Sequence, residues 1–208
     1  MTFTVLARDS ERERIGAATA SRSLAVGASV IAVDPAVGTA ASQAWTNRGL
    51  RGMLLNELGG GASAEVAVQR VPDWDAGEAL RQVAALPWGG SGAARSGAEI
   101  TAWAGARIAP DAVFVGNLLA GAGVLDAMAI AWADTAGADL ADRLLAVLTA
   151  GEEAGGDARG RQSAALLVAS RTETVLDLRV DDHADPVTEL ARLRRLASAP
   201  VERPTVRG

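Results

Sequence analysis

Directly after Met1 the chain alternates: Phe3, Val5 and Ala7 fall on one side, and Thr2, Thr4, Leu6 and Arg8 on the other. That period predicts a β-strand from Thr2 to Arg8. Asp9 to Arg14 is a charged turn, and Ile15 to Ser21 returns as a second strand of small apolar residues. A hairpin about the turn brings Ser21 or Ser23 opposite Thr2. Two more short strands, Ser29 to Val33 and Thr39 to Gln43, are separated by Asp34-Pro35. The period then changes. Leu50, Met53, Leu54, Leu55 and Leu58 share one helical face within Arg48 to Leu58, and Gly59-Gly60-Gly61 stops it. Ser63 is placed to cap the next helix, with Val66 and Val68 inside. Leu80 to Leu86 and Ala93 to Ser96 form a hairpin across Pro87-Trp88-Gly89-Gly90, and the strand Ala112 to Val115 ends at Gly116-Asn117.

Helices are expected over 122–136 and 139–153, the second with an apolar stripe of Leu140, Leu144, Leu145, Val147 and Leu148. Ser163 to Ala169 is apolar throughout, which requires cover on both faces. Val175 to Val180 alternates, with Leu176, Leu178 and Val180 inward. Asp185-Pro186 starts a last helix carried by Val187, Leu190 and Leu193. Strands joined by short turns argue antiparallel sheets, and uniformly apolar strands argue burial between layers. An α+β fold meets both demands, with two antiparallel sheets at the core and helices outside. The expectation is one domain over residues 1–199 and a flexible tail over 200–208.

Composition narrows the chemistry. Of 208 residues, 49% are hydrophobic, so a large core forms without staples. The absence of cysteine excludes disulfides, thiolate zinc sites and cysteine nucleophiles. Every basic residue is an arginine, which removes Schiff-base chemistry and a lysine general base, and His183 is the single histidine. The net charge of −5, without a basic patch interleaved with aromatics, argues against nucleic acid. The N-terminus lacks the pattern of a signal peptide, and no run has the length and continuity of a membrane helix. These features read as a soluble cytoplasmic protein, with no cofactor implied. Alanine-rich helix faces suit a homodimer.

The segment Gly155-Gly156-Asp157-Ala158-Arg159-Gly160-Arg161-Gln162-Ser163 stands at the mouth of the apolar run. Paired glycines suit a helix that stops in a left-handed conformation. An acid, two guanidinium groups and an amide beside a buried strand read as an ordered polar network. This block resembles the bacterial and archaeal domain of unknown function 1028 family. So do Met1-Thr2-Phe3-Thr4 with Ala7-Arg8-Asp9, Ser42-Gln43, Arg81-Gln82, Gly116-Asn117-Leu118-Leu119 and Asp177-Leu178-Arg179-Val180-Asp181-Asp182-His183. The likeness runs from Thr2 to about Leu196. Pro87-Trp88-Gly89-Gly90 departs from it, standing where relatives usually show an acid and a glycine. The resemblance implies the N-terminal nucleophile (Ntn) hydrolase superfamily and its four-layer αββα sandwich. It does not supply a substrate.

In such enzymes the first mature residue attacks an amide carbonyl and its own α-amine takes the proton. That amine has a pKa of roughly 7.7–8.0, so no histidine or lysine is needed. Thr2 is the candidate once Met1 is removed, for a small amide or lactam substrate. The alternative is a non-catalytic ligand-binding or assembly protein on the same scaffold, with Thr2 filling a strand end. Asn117 and Gln43, at strand ends, either donate to an oxyanion or cap backbone groups. Ser21, Ser23 and Thr4 either hold the amine or are ordinary strand hydroxyls. Arg8 either orients a substrate carboxylate or is a surface charge, pairing with Asp9 at the first turn. Asp157, Arg159 and Arg161 either bind an anionic substrate group or form a structural ion network. Asp181-Asp182-His183 offers metal-ligand side chains, but with a single histidine between a strand and a helix start it reads as a hydrogen-bonded corner rather than a metal site. The five tryptophans share no spacing and read as core or interface residues.

Overall fold

The charged turn after Asp9 closes a hairpin of β1 (Thr2–Asp9) and β2 (Arg14–Ser21), the first two strands of a computed structural model that describes residues 2–199. Met1 and the tail expected over 200–208 lie outside the described residues. Phe3 pairs with Ala20 and Thr4 with Thr19, a register that brings Ser21, not Ser23, opposite Thr2. A helical turn α1 (Val26–Val30) follows, then β3 (Ile31–Asp34) and β4 (Gly38–Ala44). The strand expected from Ser29 therefore begins two residues late. Tertiary anchoring overrides the β preference there: Ser163 Oγ accepts from Val26 N at 3.0 Å, and Ala25 is left-handed at φ 53°.

Next come α2 (Gly49–Gly59), α3 (Ala64–Gln69) and α4 (Val71–Trp74). Ser63 caps α3 by accepting from Val66 N at 3.2 Å. Val68 points inward as expected, but Val66 is exposed, because the short helix has a single buried face. β5 (Arg81–Pro87) and β6 (Ala93–Ser96) form the hairpin read from sequence. β7 (Gly105–Ala109), which the hydrophobic pattern missed, pairs with β8 (Ala112–Asn117). The helices α5 (Gly123–Asp134) and α6 (Leu140–Glu153), the strands β9 (Ser163–Ala169) and β10 (Thr174–Val180), and α7 (Pro186–Ser198) complete the chain.

Among the described residues the strands make two antiparallel sheets, with seven α-helices beside them. The larger sheet has the order β10-β9-β2-β1-β8-β7 and the smaller β3-β4-β5-β6. β1 is buried along its whole length, and its alternation sorts its side chains between two apolar clusters. Phe3, Val5 and Ala7 pack with Leu125 and Met128 of α5, Leu144 and Leu148 of α6 and Leu190 of α7. Leu6, on the other face, packs with Ala41, Ala84 and Leu86 of the smaller sheet. Full burial of a side chain such as Leu6 contributes about 2 kcal/mol. A third cluster joins Ala40, Val83 and Ala85 to Leu50, Leu54 and Val68 of α2 and α3. The small residues of β2 permit close approach: a Cβ at Gly16 would stand 2.6 Å from Leu167 O. No described helix is long and apolar enough to cross a membrane.

Candidate functional site

Thr2 is the first residue of β1, held between β2 and β8, with Asn117, the last residue of β8, as its partner across the ladder. The Thr2 hydroxyl donates to Ser21 Oγ at 3.2 Å. Thr2 is 5% exposed. It lines a cavity of about 260 Å³ with Ser23, Ser29, Ala44 and Arg48. A second cavity, of about 220 Å³, is lined by Asn117, Leu118, Thr101, Trp45 and Arg159. Ser23 and Ala44 line both. Each lies below the ~300 Å³ at which pockets for drug-sized ligands begin.

Behind Thr2 the two sheets are joined by a buried amide network. Gln43 Nε2 donates to Thr2 O at 3.3 Å and to Gln82 Oε1 at 2.7 Å, while Gln43 Oε1 accepts from the Thr4 hydroxyl at 2.7 Å. Both Gln43 N–H groups are thereby used, and the side chain is fully buried. Of the two readings for Gln43, the geometry supports the one in which it fixes backbone: it locks Thr2 O. Thr4 likewise bonds Thr19 and Gln43 and serves the sheets. Gln82, which sequence reasoning valued only as part of a motif, is the hub. Its Nε2 donates to Ser96 Oγ, Gly105 O and Gly116 O, and its Oε1 accepts from Gln43 and, at 3.1 Å, from Asn117 Nδ2. One Asn117 N–H goes to Gln82; the amide carries a second.

The Gly-Gly-Asp block clamps the same corner. Gly155 and Gly156 both have positive φ, 111° and 47°. The turn they allow lets Gly156 O accept from Ala120 N at 3.1 Å and Ala158 N donate to Leu118 O at 3.3 Å. Asp157 is buried, and its Oδ2 accepts from Arg22 N at 2.8 Å and its Oδ1 from Arg159 N at 2.9 Å. One carboxylate thus holds the chain leaving β2 beside the segment that leaves β8. Backbone strain gathers here as well. Ala25, Ala44 and Leu118 are non-glycine residues with φ of 53°, 72° and 51°, and the last two line the cavities. Such conformations cluster at functional sites but also occur in tight turns, as at Glu13 in the turn after β1, with φ 50°.

A model of the family of unknown function DUF1028 matches residues 2–190. The chain belongs to the DUF1028 family. It is similar to the crystal structure of the DUF1028 protein SPO2555 from Silicibacter pomeroyi, with a TM-score of 0.89 and 35% sequence identity over 96% of this chain and 90% of that one. No curated protein matches the chain.

The remaining residues of the DUF1028 motifs divide between the site and the scaffold. Arg159 lines the cavity beside Asn117 and pairs with Asp157 at 3.1 Å. Arg161 turns away from it, pairing with Glu152 at 3.1 Å and reaching toward Asp185. Burial of Glu152 pushes its carboxyl above the ordinary value, against the lowering charge of Arg161. Arg8 shares the face of Thr2, but six residues along a strand is roughly 20 Å. It is buried and bonded to Asp111, Pro87 O and Pro110 O, so it is neither a surface charge nor near Thr2. Asp9 pairs with Arg12 rather than with Arg8. In the Asp-Asp-His block, Asp181 pairs with Arg179, Asp182 accepts from Gln162 Nε2, and His183 Nδ1 accepts from Asp185 N. Those bonds make a corner between β10 and α7. Trp45 and Arg48 carried no signal in the sequence. Trp45 stands at the cavity rim, 66% exposed, because left-handed Ala44 swings it out of β4.

Proposed function

We propose that this chain is an N-terminal nucleophile hydrolase that cleaves a small amide or lactam, with Thr2 Oγ1 as nucleophile once Met1 is removed. The observation that carries the reading is the place of Thr2: it ends a central strand, with its hydroxyl oriented by Ser21 and a cavity beside it. The three apolar clusters suit the αββα sandwich of that superfamily, with helices on the outer face of each sheet.

The hydroxyl oxygen attacks the carbonyl carbon while its proton passes to the Thr2 amine, directly or through water. A C–O bond forms, and the carbonyl π electrons move onto oxygen. The Asn117 N–H not used on Gln82 donates to that oxyanion, and the buried amide network holds Asn117 in place before substrate arrives. Collapse restores the carbonyl and breaks the C–N bond, the departing nitrogen taking the proton from the ammonium. Water then attacks the ester, releasing the acid and restoring Thr2. Ser21 orients the nucleophile, and Asp157 holds the loops around it.

The low exposure of Thr2 favours a second reading, a ligand-binding protein on this scaffold. A hydrolysis screen of small amides separates the two. It compares protein shown by intact mass to start at Thr2 with its Thr2→Ala variant. Hydrolysis that disappears in the variant supports the enzyme; function that survives it supports the binder.

A further inference from the structure

Arg48 lines the cavity of Thr2 and donates through Nη2 to Ser29 Oγ, another lining residue, at 2.6 Å. Elsewhere Arg8, Arg81 and Arg161 each end on a carboxylate. Arg48 makes no ion pair among the described residues, so its exposed guanidinium keeps donors that a ligand in the cavity can take over from water. Its neighbour Arg51 offers no compensation. Arg51 donates to the carbonyls of Ala28, Ile31 and Arg48, and its pKa is lowered, first by burial and then by the charge of Arg48. Two cations therefore stand together, and neither makes an ion pair among the described residues.

The position of Arg48 is also prepared. The preceding residue, Asn47, accepts through Oδ1 from Gly49 N at 3.0 Å and donates through Nδ2 to Asp75 Oδ2 at 2.8 Å. The backbone on either side of Arg48 is thus fixed before a ligand arrives, which lowers the ordering cost of binding. A planar fork of donors matches a carboxylate.

We propose that Arg48 binds a carboxylate of the substrate, so that the preferred class is a small amide bearing an anionic group, such as an N-acylated amino acid. This rests on Thr2 being the reacting residue of the cavity, and it names what the far end of the substrate must carry. Arg48 is a specificity-determining residue: it selects acids over the corresponding neutral amides.

Calorimetric titration with N-acetylglycine and with N-acetylglycinamide tests this on the mature wild type and on Thr2→Ala, Arg48→Gln and Arg48→Lys. Arg48 is exposed, so thermal unfolding of its variants should match wild type. The expected result is at least tenfold tighter binding of the acid than of the amide by wild type and by Thr2→Ala. That preference vanishes in Arg48→Gln and returns in part in Arg48→Lys. Equal binding of the two by wild type, absence of binding included, overturns the proposal, as does a preference that survives Arg48→Gln. The two failures are distinguishable: an Arg48-dependent preference in a protein that hydrolyses nothing keeps Arg48 as a carboxylate-binding residue but removes the catalytic reading and, with it, the assignment of that carboxylate to a substrate.

Discussion

Thr2 and Asn117 face each other across the β1–β8 ladder, one opening its strand and the other closing it. Directly opposite residues of antiparallel strands project from the same face, within about 5.5 Å of each other. A hydroxyl and an amide donor are therefore held at fixed spacing by main-chain pairing alone. Replacing Asn117 by Ala should lower kcat by about 10²–10³-fold, with KM little changed, because the donor serves charge that exists only in the transition state. Steady-state kinetics on any substrate found for the wild type checks this; a change confined to KM contradicts it.

Gln82→Met keeps the volume and removes the hub. It leaves one buried N–H on Gln43 and one on Asn117 without partners. Each unsatisfied group costs about 1–3 kcal/mol, so urea unfolding should show a loss of at least about 2 kcal/mol.

Asp157→Asn tests the clamp. The substitution removes a charge that accepts from two backbone N–H groups and turns one acceptor into a donor facing a donor. A loss of about 2–3 kcal/mol is expected. Amide exchange should quicken first at Arg22 or Arg159, whichever N–H faces the new amide nitrogen.

Asp75 carries a pH signature. Hydrogen bonds from Arg81, then from Asn47, with a further one from Gly77 N, lower its carboxyl from 3.8 to about 2 against the opposing effect of burial. Because the folded value lies below the unfolded one, the stabilisation is complete above about pH 4 and is lost as pH falls through about 2. It amounts to about 1–2 kcal/mol. In urea titrations the gap between wild type and Asp75→Asn should be widest near pH 6 and close toward pH 2.

The hairpin was legible because its turn is short and charged, and it narrowed the partner of Thr2 to Ser21 or Ser23, of which the register selects Ser21. β9 and β10 were equally plain, one apolar on both faces and the other alternating. β7 was not, since Gly105, Arg107 and small residues at a half-exposed sheet edge carry little apolar contrast. The site itself was read in part. Thr2 and Asn117 sit on strands whose ends the sequence marks. Gln82 and Arg48 act through partners far along the chain, brought near only when the sheets stack, and no local pattern encodes that. Arg8 misled because alternation fixes the face of a residue and says nothing of its distance along the strand.

The most direct measurement of the central claim is a trapped intermediate. Mature protein beginning at Thr2 is incubated with a small amide or lactam that it turns over, quenched in acid, and its N-terminal peptide is weighed and fragmented. The account predicts an acyl group on the Thr2 side chain that chases off with time and never forms in Thr2→Ala. Turnover by Thr2→Ala at the wild-type rate would contradict it.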